Sequence, residues 1–126
     1  MNSPTFLFNI SEKIFMSLKY RTVEPKQEGL NNGNIQLTKI IDFFPIDSIG
    51  ANNKVLGVGK MLTIQYKTGG RYKSFLTDID GGHNFFRARG IDGTKGLISD
   101  LDIKGGDTIK IIKVSPYVYE IVKDIS

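Results

Sequence analysis

The chain has 126 residues, of which 40% are hydrophobic and 24% charged, so its composition predicts one globular domain with a sizeable core. The formal net charge of +4 is a mild bias toward polyanionic partners. The absence of cysteine excludes disulfides, thiolate metal sites and cysteine nucleophiles, and it fits a reducing cytoplasm, where we expect the protein to reside.

The first half of the chain predicts a strand, a polar arm and a short helix. The apolar-rich segment EKIFMSLKYRT (residues 12–22) predicts the first strand. VEPKQEGLNNGN (23–34) contains a proline and two glycines, which favour a long turn or arm. IQLTKIIDFFP (35–45) has apolar residues at helical spacing and a terminal proline, so it predicts a short helix. Residues 46–60 are typical of a loop.

The second half predicts short strands separated by glycine turns. MLTIQYKT (61–68) alternates apolar and polar residues, and RYKSFLTDID (71–80) follows it across a glycine pair, as in a hairpin. FFRARGI (85–91) predicts the next strand, and residues 97–101 one helical turn. A last hairpin joins TIKIIKV to YVYEIVKD around Ser115 and Pro116. Six or seven short strands with two short helices indicate a mainly-β barrel or sandwich.

The segment GGHNFFRARG (81–90) places the only histidine, two phenylalanines and two arginines between glycines. On a strand, Arg87 and Arg89 would share one face, about 7 Å apart, which is close to the repeat of phosphates along DNA. Arg87 and Asn84 can each make two hydrogen bonds to a base, and His83 can contact a base or a phosphate. The alternative is a barrel strand with a solvated basic face and a glycine turn that only shapes a hairpin.

A second polar segment has similar chemistry. Residues 21–36 are rich in amides and basic side chains, which contact base edges and phosphates, namely Arg21, Lys26, Gln27, Asn31, Asn32, Asn34 and Gln36. The alternative is a mobile surface loop. The two segments can bind DNA together only if the fold brings them to the same side of the protein.

The chemistry of the remaining motifs argues against catalysis. The sequence has no glycine-rich phosphate loop, and the Asp-x-Lys pair within DLDIK (100–104) has no well-placed upstream acid of the kind nucleases need. His83 has no evident triad partner. The apolar runs are too short to span a bilayer. We therefore expect no cofactor, no metal, no membrane partner and no enzymatic activity.

Taken together, these segments resemble the B-three-type pseudobarrel DNA-binding domain. This domain occurs in plant transcription factors and as the recognition or effector domain of restriction endonucleases of the EcoRII and BfiI kind. The resemblance covers residues 14–122 and depends mainly on FLTDIDGGHNFFRARG and LDIKGGDTIKI. It implies an open seven-stranded pseudobarrel with two short helices. It also implies an N-arm (residues 21–36) and a C-arm (residues 78–89) that enter the DNA major groove.

The resemblance implies a partner and a set of contacts. The partner is double-stranded DNA, and a nuclease domain is expected on the same polypeptide or on a partner subunit, with the bacterial branch of the family the closer one. The expected base contacts are Gln27, Asn31, Asn32, His83, Asn84 and Arg87. The expected phosphate contacts are Arg21, Lys26, Lys73 and Arg89, and Asn34 belongs to the same DNA-binding set.

Other functions remain open at this point. A single-stranded nucleic-acid binder of the oligonucleotide-binding type would stack bases on Phe85, Tyr66 and Tyr72. A small enzyme or sugar-binding barrel would carry clustered carboxylates in a pocket. A structural interaction module would not bind DNA in a salt-sensitive way.

Overall fold

The protein is described from a computed structural model, and the residues that the structure describes are 19–51 and 57–124. Two α-helices, α1 (Gln27–Asn31) and α2 (Thr94–Asp100), and two short 3-10 segments (Thr38–Phe43 and Ile46–Ser48) accompany the strands. The eight strands in this part of the chain are β1 (Lys19–Val23), β2 (Ile49–Gly50), β3 (Leu62–Thr68), β4 (Arg71–Thr77), β5 (Ile79–Asp80), β6 (Phe85–Phe86), β7 (Thr108–Ser115) and β8 (Val118–Asp124).

The larger sheet has five strands in the order β1-β7-β8-β3-β4. Two hairpins supply four of them, β3–β4 and β7–β8, and the pairing of β3 with β8 is parallel. The turn between β3 and β4 consists of Gly69 and Gly70, whose φ angles of 57° and 78° are reached easily by glycine because it has no Cβ. The alternating pattern of β3 places Leu62, Ile64 and Tyr66 on the buried face.

The smaller sheet has three two-residue strands in the order β2-β5-β6. Strand β2 runs parallel to β5, and β5 runs antiparallel to β6. The four residues between β5 and β6 are Gly81 to Asn84, so this short sheet carries the turn of the C-arm.

The FFP segment fills the core beside the two sheets. The ring of Phe44 lies 4.7 Å from that of Tyr119 on β8 and 5.8 Å from that of Phe86 on β6, measured between centroids. The Tyr119 hydroxyl is buried and donates a hydrogen bond of 2.8 Å to the Phe43 carbonyl oxygen. The Phe44–Phe86 contact is edge-to-face and the Phe44–Tyr119 contact is tilted, and both connect the smaller sheet to the larger one.

The prediction of a mainly-β open fold is confirmed, and the described strands do not close into a barrel. Both predicted hairpins form, the predicted helix at 35–45 is a 3-10 segment, and the predicted turn at 97–101 belongs to α2. The sequence did not predict α1 within the polar arm. The predicted strand 85–91 was too long, since β6 ends at Phe86. The part of the predicted first strand before residue 19 lies outside the described residues.

No helix in the described ranges is long and apolar enough to cross a membrane.

Candidate nucleic-acid interface

The C-arm turn is held in one conformation by Asp80. Its carboxylate accepts a hydrogen bond of 2.9 Å from the Gly82 N–H, and its carbonyl oxygen accepts one of 2.7 Å from the Asn84 N–H. Asn84 has a φ of 59°, a left-handed conformation that asparagine tolerates. The His83 ring lies parallel to the ring of Phe85 at 5.0 Å, and its Nδ1 is 3.2 Å from the Asp80 carboxylate. The polar tip of the C-arm is therefore preorganised.

The N-arm contains helix α1, which is tied to the loop before β7. The Gln27 side chain accepts a hydrogen bond of 2.8 Å from the Gly105 N–H and donates one of 2.9 Å to the Asn31 side chain. The Asn32 amide donates to the carbonyl oxygen of Glu28 at 3.2 Å. Gln27 thus positions α1, while Asn31 and Asn32 are exposed at its end.

The two arms are joined by residues that follow α1. The Gln36 side-chain amide donates a hydrogen bond of 2.7 Å to the His83 carbonyl oxygen. The Leu37 N–H donates one of 2.8 Å to the Asn84 carbonyl oxygen, and Gln36 also forms an isolated bridge with Phe85. Since Leu37 is fully buried, this junction is anchored in the core. The structure therefore brings the end of the N-arm and the tip of the C-arm together.

A cleft lies between the joined arms, and we call it the arm cleft. Its volume is about 510 Å³, within the usual range for ligand sites. Phe85 supplies its aromatic surface, and its polar lining consists of Glu24, Lys26, Glu28, Asn34, Gln36 and Lys39. Of the predicted DNA contacts, Lys26 and Asn34 lie in this cleft, and His83 and Asn84 lie at the tip of the adjoining C-arm.

Arg87 is buried, whereas the strand pattern predicted that it would lie on an exposed basic face of the C-arm. Its side chain is only 5% exposed, and its Nε and Nη2 donate hydrogen bonds of 2.7 and 3.0 Å to the fully buried Asp78 carboxylate. The hydrogen bonds with Asp78 raise the pKa of Arg87. Burial raises the pKa of Asp78, but its hydrogen bonds to Arg87 and to the Gly59 N–H outweigh burial and hold that pKa below its usual value. This buried ion pair joins the two ends of the C-arm, just beyond β4 and just beyond β6.

The predicted phosphate contacts are dispersed over the structure. Arg89 also turns toward Asp78, with its Nη2 3.4 Å from the carboxylate, so it too leaves the predicted basic face. The Arg21 guanidinium lies 4.7 Å from the centroid of the Phe43 ring. Lys73 is on β4, at the edge of the large sheet opposite β1, where it pairs with Asp100 at 2.8 Å. That ion pair lowers the pKa of Asp100, with help from the Tyr66 hydroxyl.

Three charged residues that line the arm cleft, Glu24, Glu28 and Lys39, were not among the predicted site residues. Phe85, which also lines it, was predicted only as a stacking residue of the single-stranded alternative. These residues are distinguished only by lining the same cleft in the folded protein, and no local sequence pattern indicates that they do.

The three aromatic residues of the single-stranded alternative do not share a surface. Tyr66 is 4% exposed and donates a hydrogen bond of 2.7 Å to Asp100, whereas Tyr72 is 61% exposed on β4. Phe85 lies in the arm cleft, in the other sheet. These three side chains therefore do not form a platform on which successive bases could stack.

Within residues 19–51 and 57–124, no group of three His, Asp or Glu side chains is placed to hold a metal ion. Comparison with known proteins gives no match, since no family model, no curated protein and no solved structure is significantly similar to the chain.

Proposed function

We propose that the protein is a non-catalytic DNA-recognition domain that binds double-stranded DNA sequence-specifically through its two joined arms in the major groove. The observation that carries this proposal is the junction itself, in which the Gln36 side chain of the N-arm donates to the His83 carbonyl oxygen of the C-arm. These two residues are 47 positions apart in sequence, and their hydrogen bond holds the two polar segments next to each other.

The chemistry of that surface suits base recognition. Asn31, Asn32 and Asn84 supply amides, which pair with adenine, and Lys26 and Lys39 supply cations for guanine or phosphate. The net charge of +4 and the pI of about 9.3 favour approach to a polyanion. Because the C-arm is preorganised by Asp80, little conformational entropy is lost when DNA binds.

The buried pair Asp78–Arg87 has a supporting role in this proposal. It fixes the start and the end of the C-arm to each other, so the tip from Gly81 to Asn84 projects at a constant angle. Rigid support of a recognition element sharpens specificity without any direct contact to DNA.

The resemblance to B-three-type domains supports a role beside a nuclease. We place the domain in a bacterial restriction system in the cytoplasm. There it identifies the target or effector sequence for a nuclease domain on the same polypeptide or on a partner subunit.

The proposal is tested by selection from a random duplex library followed by mobility-shift titration of the enriched sequence. We expect one short motif to be enriched, tight binding at low salt and a steep fall of affinity as salt rises, because bound phosphates release counterions. A single-stranded oligonucleotide of the same sequence should compete poorly. Failure to enrich any motif, or better binding of the single strand, would overturn the proposal.

Matched variants identify the surface. Asn32→Ala and His83→Ala lie on the arms, and we expect each to weaken binding to the enriched duplex by about 1–3 kcal/mol if it contacts a base. Gln65→Ala is the control, because this side chain on β3 donates a hydrogen bond to Glu120 on the neighbouring strand β8 and lies outside the arm cleft. Equal losses from the arm variants and from the control would contradict the assignment.

A further inference from the structure

Several charged side chains that line the arm cleft have no partner in the described part of the structure. Among the described residues, the side chains of Glu24, Lys26, Glu28 and Lys39 make no hydrogen bond or ion pair, although all four line one cleft. Three lysines elsewhere hold carboxylates at 2.8, 3.0 and 3.4 Å, in the pairs Lys73–Asp100, Lys104–Asp102 and Lys123–Asp107. Unpaired donors and acceptors that converge beside an aromatic ring indicate a ligand-recognition surface.

The mixture of charges decides what kind of ligand suits the cleft. Two carboxylates disfavour a phosphate group, because their charge repels it at short range. A base pair offers both kinds of group in the major groove. Cytosine presents the N4 amino donor, and guanine presents the O6 and N7 acceptors. Carboxylates accept from cytosine N4, and lysine donates to guanine O6 and N7.

The two kinds of side chain come from different elements that border the same cleft. Glu28 is in α1, and Lys39 is in the 3-10 segment that follows the Gln36 junction. A guanine–cytosine pair likewise presents its donor and its acceptors side by side in one groove.

We infer that the arm cleft reads a cytosine–guanine pair, with the Glu28 carboxylate accepting from cytosine N4 and the Lys39 ammonium donating to guanine. This inference rests on the proposed duplex DNA binding and names two specificity-determining residues within it. It gives Glu28 a definite selectivity. A carboxylate accepts from cytosine but is repelled by the N7 lone pair of adenine, whereas a glutamine pairs with adenine through two hydrogen bonds.

The test compares base preferences of the wild-type protein and Glu28→Gln on the same library and on duplexes substituted at each position of the motif. Wild-type protein should require a C·G pair at one position and bind the A·T duplex roughly fivefold to 150-fold more weakly there. Glu28→Gln should bring the C-to-A preference at that position close to one or reverse it, while the other positions keep theirs. Lys39→Met should weaken selection for guanine at the same base pair.

Asp102→Asn is the matched control, because it removes the same charge at an exposed residue that pairs with Lys104, outside the arm cleft. It should change affinity for all duplexes alike and leave base preferences unchanged. Circular dichroism melting should show that all the variants fold, as expected for exposed side chains.

The outcomes separate the two claims. If wild-type protein enriches a motif but Glu28→Gln alters no C·G position, this inference is wrong and duplex recognition stands. The inference is equally wrong if Asp102→Asn changes base preferences as much as Glu28→Gln does. If wild-type protein enriches no duplex motif, both the proposed function and this inference fall.

Discussion

Replacing Asp78 with alanine should lower the free energy of unfolding by about 3–5 kcal/mol, because the change leaves a buried guanidinium without its counter-charge. The Asp78 side chain is 0% exposed and that of Arg87 is 5% exposed. The carboxylate accepts hydrogen bonds of 2.7 and 3.0 Å from Arg87 and one of 2.7 Å from the Gly59 N–H. Water cannot easily replace these contacts at a site with so little exposure, so the full penalty of an unpaired charge applies.

Urea unfolding followed by circular dichroism at neutral pH measures this loss. Arg87→Met should be similarly destabilising, since it leaves the Asp78 carboxylate unpaired. The double variant Asp78→Leu/Arg87→Met should lose clearly less than the sum of the two single changes, because no charge stays buried. If Asp78→Ala proves too unstable to purify, Asp78→Asn preserves the shape and gives a smaller loss. The reasoning is refuted if the single variants stay within about 0.5 kcal/mol of the wild type, which is typical of surface sites.

The same pair predicts a pH dependence of stability. The pKa of Asp78 in the folded protein is lowered, whereas in the unfolded chain it is about 3.9. Below that value the unfolded state therefore binds more protons than the folded state, and stability is lost as pH falls through the folded-state pKa. Urea midpoints measured from pH 7 down to pH 2 should fall for the wild type and fall less steeply for Asp78→Asn. Equal slopes for the two proteins would contradict the assignment.

Three further changes test other parts of the structure. Tyr119→Phe removes the buried donor to the Phe43 carbonyl oxygen, and urea unfolding should show a loss of about 1–3 kcal/mol; an unchanged midpoint would mean that this hydrogen bond contributes nothing. Gly81→Ala places a Cβ against the Gly50 carbonyl oxygen, a backbone atom, so thermal melting should show a loss of about 1–3 kcal/mol, and a wild-type melting temperature would argue against this close approach. Gln36→Ala removes the hydrogen bond between the arms, and a shift assay should show affinity for the enriched duplex reduced by about 1 kcal/mol with little change in unfolding; unchanged affinity would separate the junction from DNA binding.

Local sequence patterns correctly predicted the elements whose structure depends on neighbouring residues. The alternation in residues 61–68 and the glycine pair after it predicted β3, its turn and β4, because strand period and turn conformation depend on neighbouring residues. The proline at 45 likewise predicted where the helical segment ends.

The same kind of pattern gave the wrong environment for Arg87, because the burial of this side chain depends on a residue that is distant in sequence. The alternation of side chains along a strand predicted that Arg87 lies on a solvated face. Strand β6, however, ends one residue before Arg87. The buried Asp78, nine residues upstream, accepts a hydrogen bond from the guanidinium. A buried charge is stable only with its partner, and the pairing depends on how the two ends of the C-arm meet in three dimensions. Sequence spacing alone does not contain that information.

The arm cleft was partly predictable for a related reason. Composition identified both arms, since amides and basic residues are concentrated in them. The junction between Gln36 and His83 joins residues far apart in the chain and was not predictable. Glu24, Glu28 and Lys39 line one cleft only because the junction holds the two arms together, so their sequence positions alone did not mark them as site residues.

The most direct test of two-arm DNA binding is a nuclear magnetic resonance titration of the ¹⁵N-labelled protein with the enriched duplex. We predict that the backbone amide signals of residues 26–39 and 81–85 shift together and saturate at one duplex per protein. The signals of Tyr72, Ser74 and Leu76 on β4 should stay in place. Shifts confined to β4 and the large sheet, or no shifts at any duplex concentration, would contradict the account.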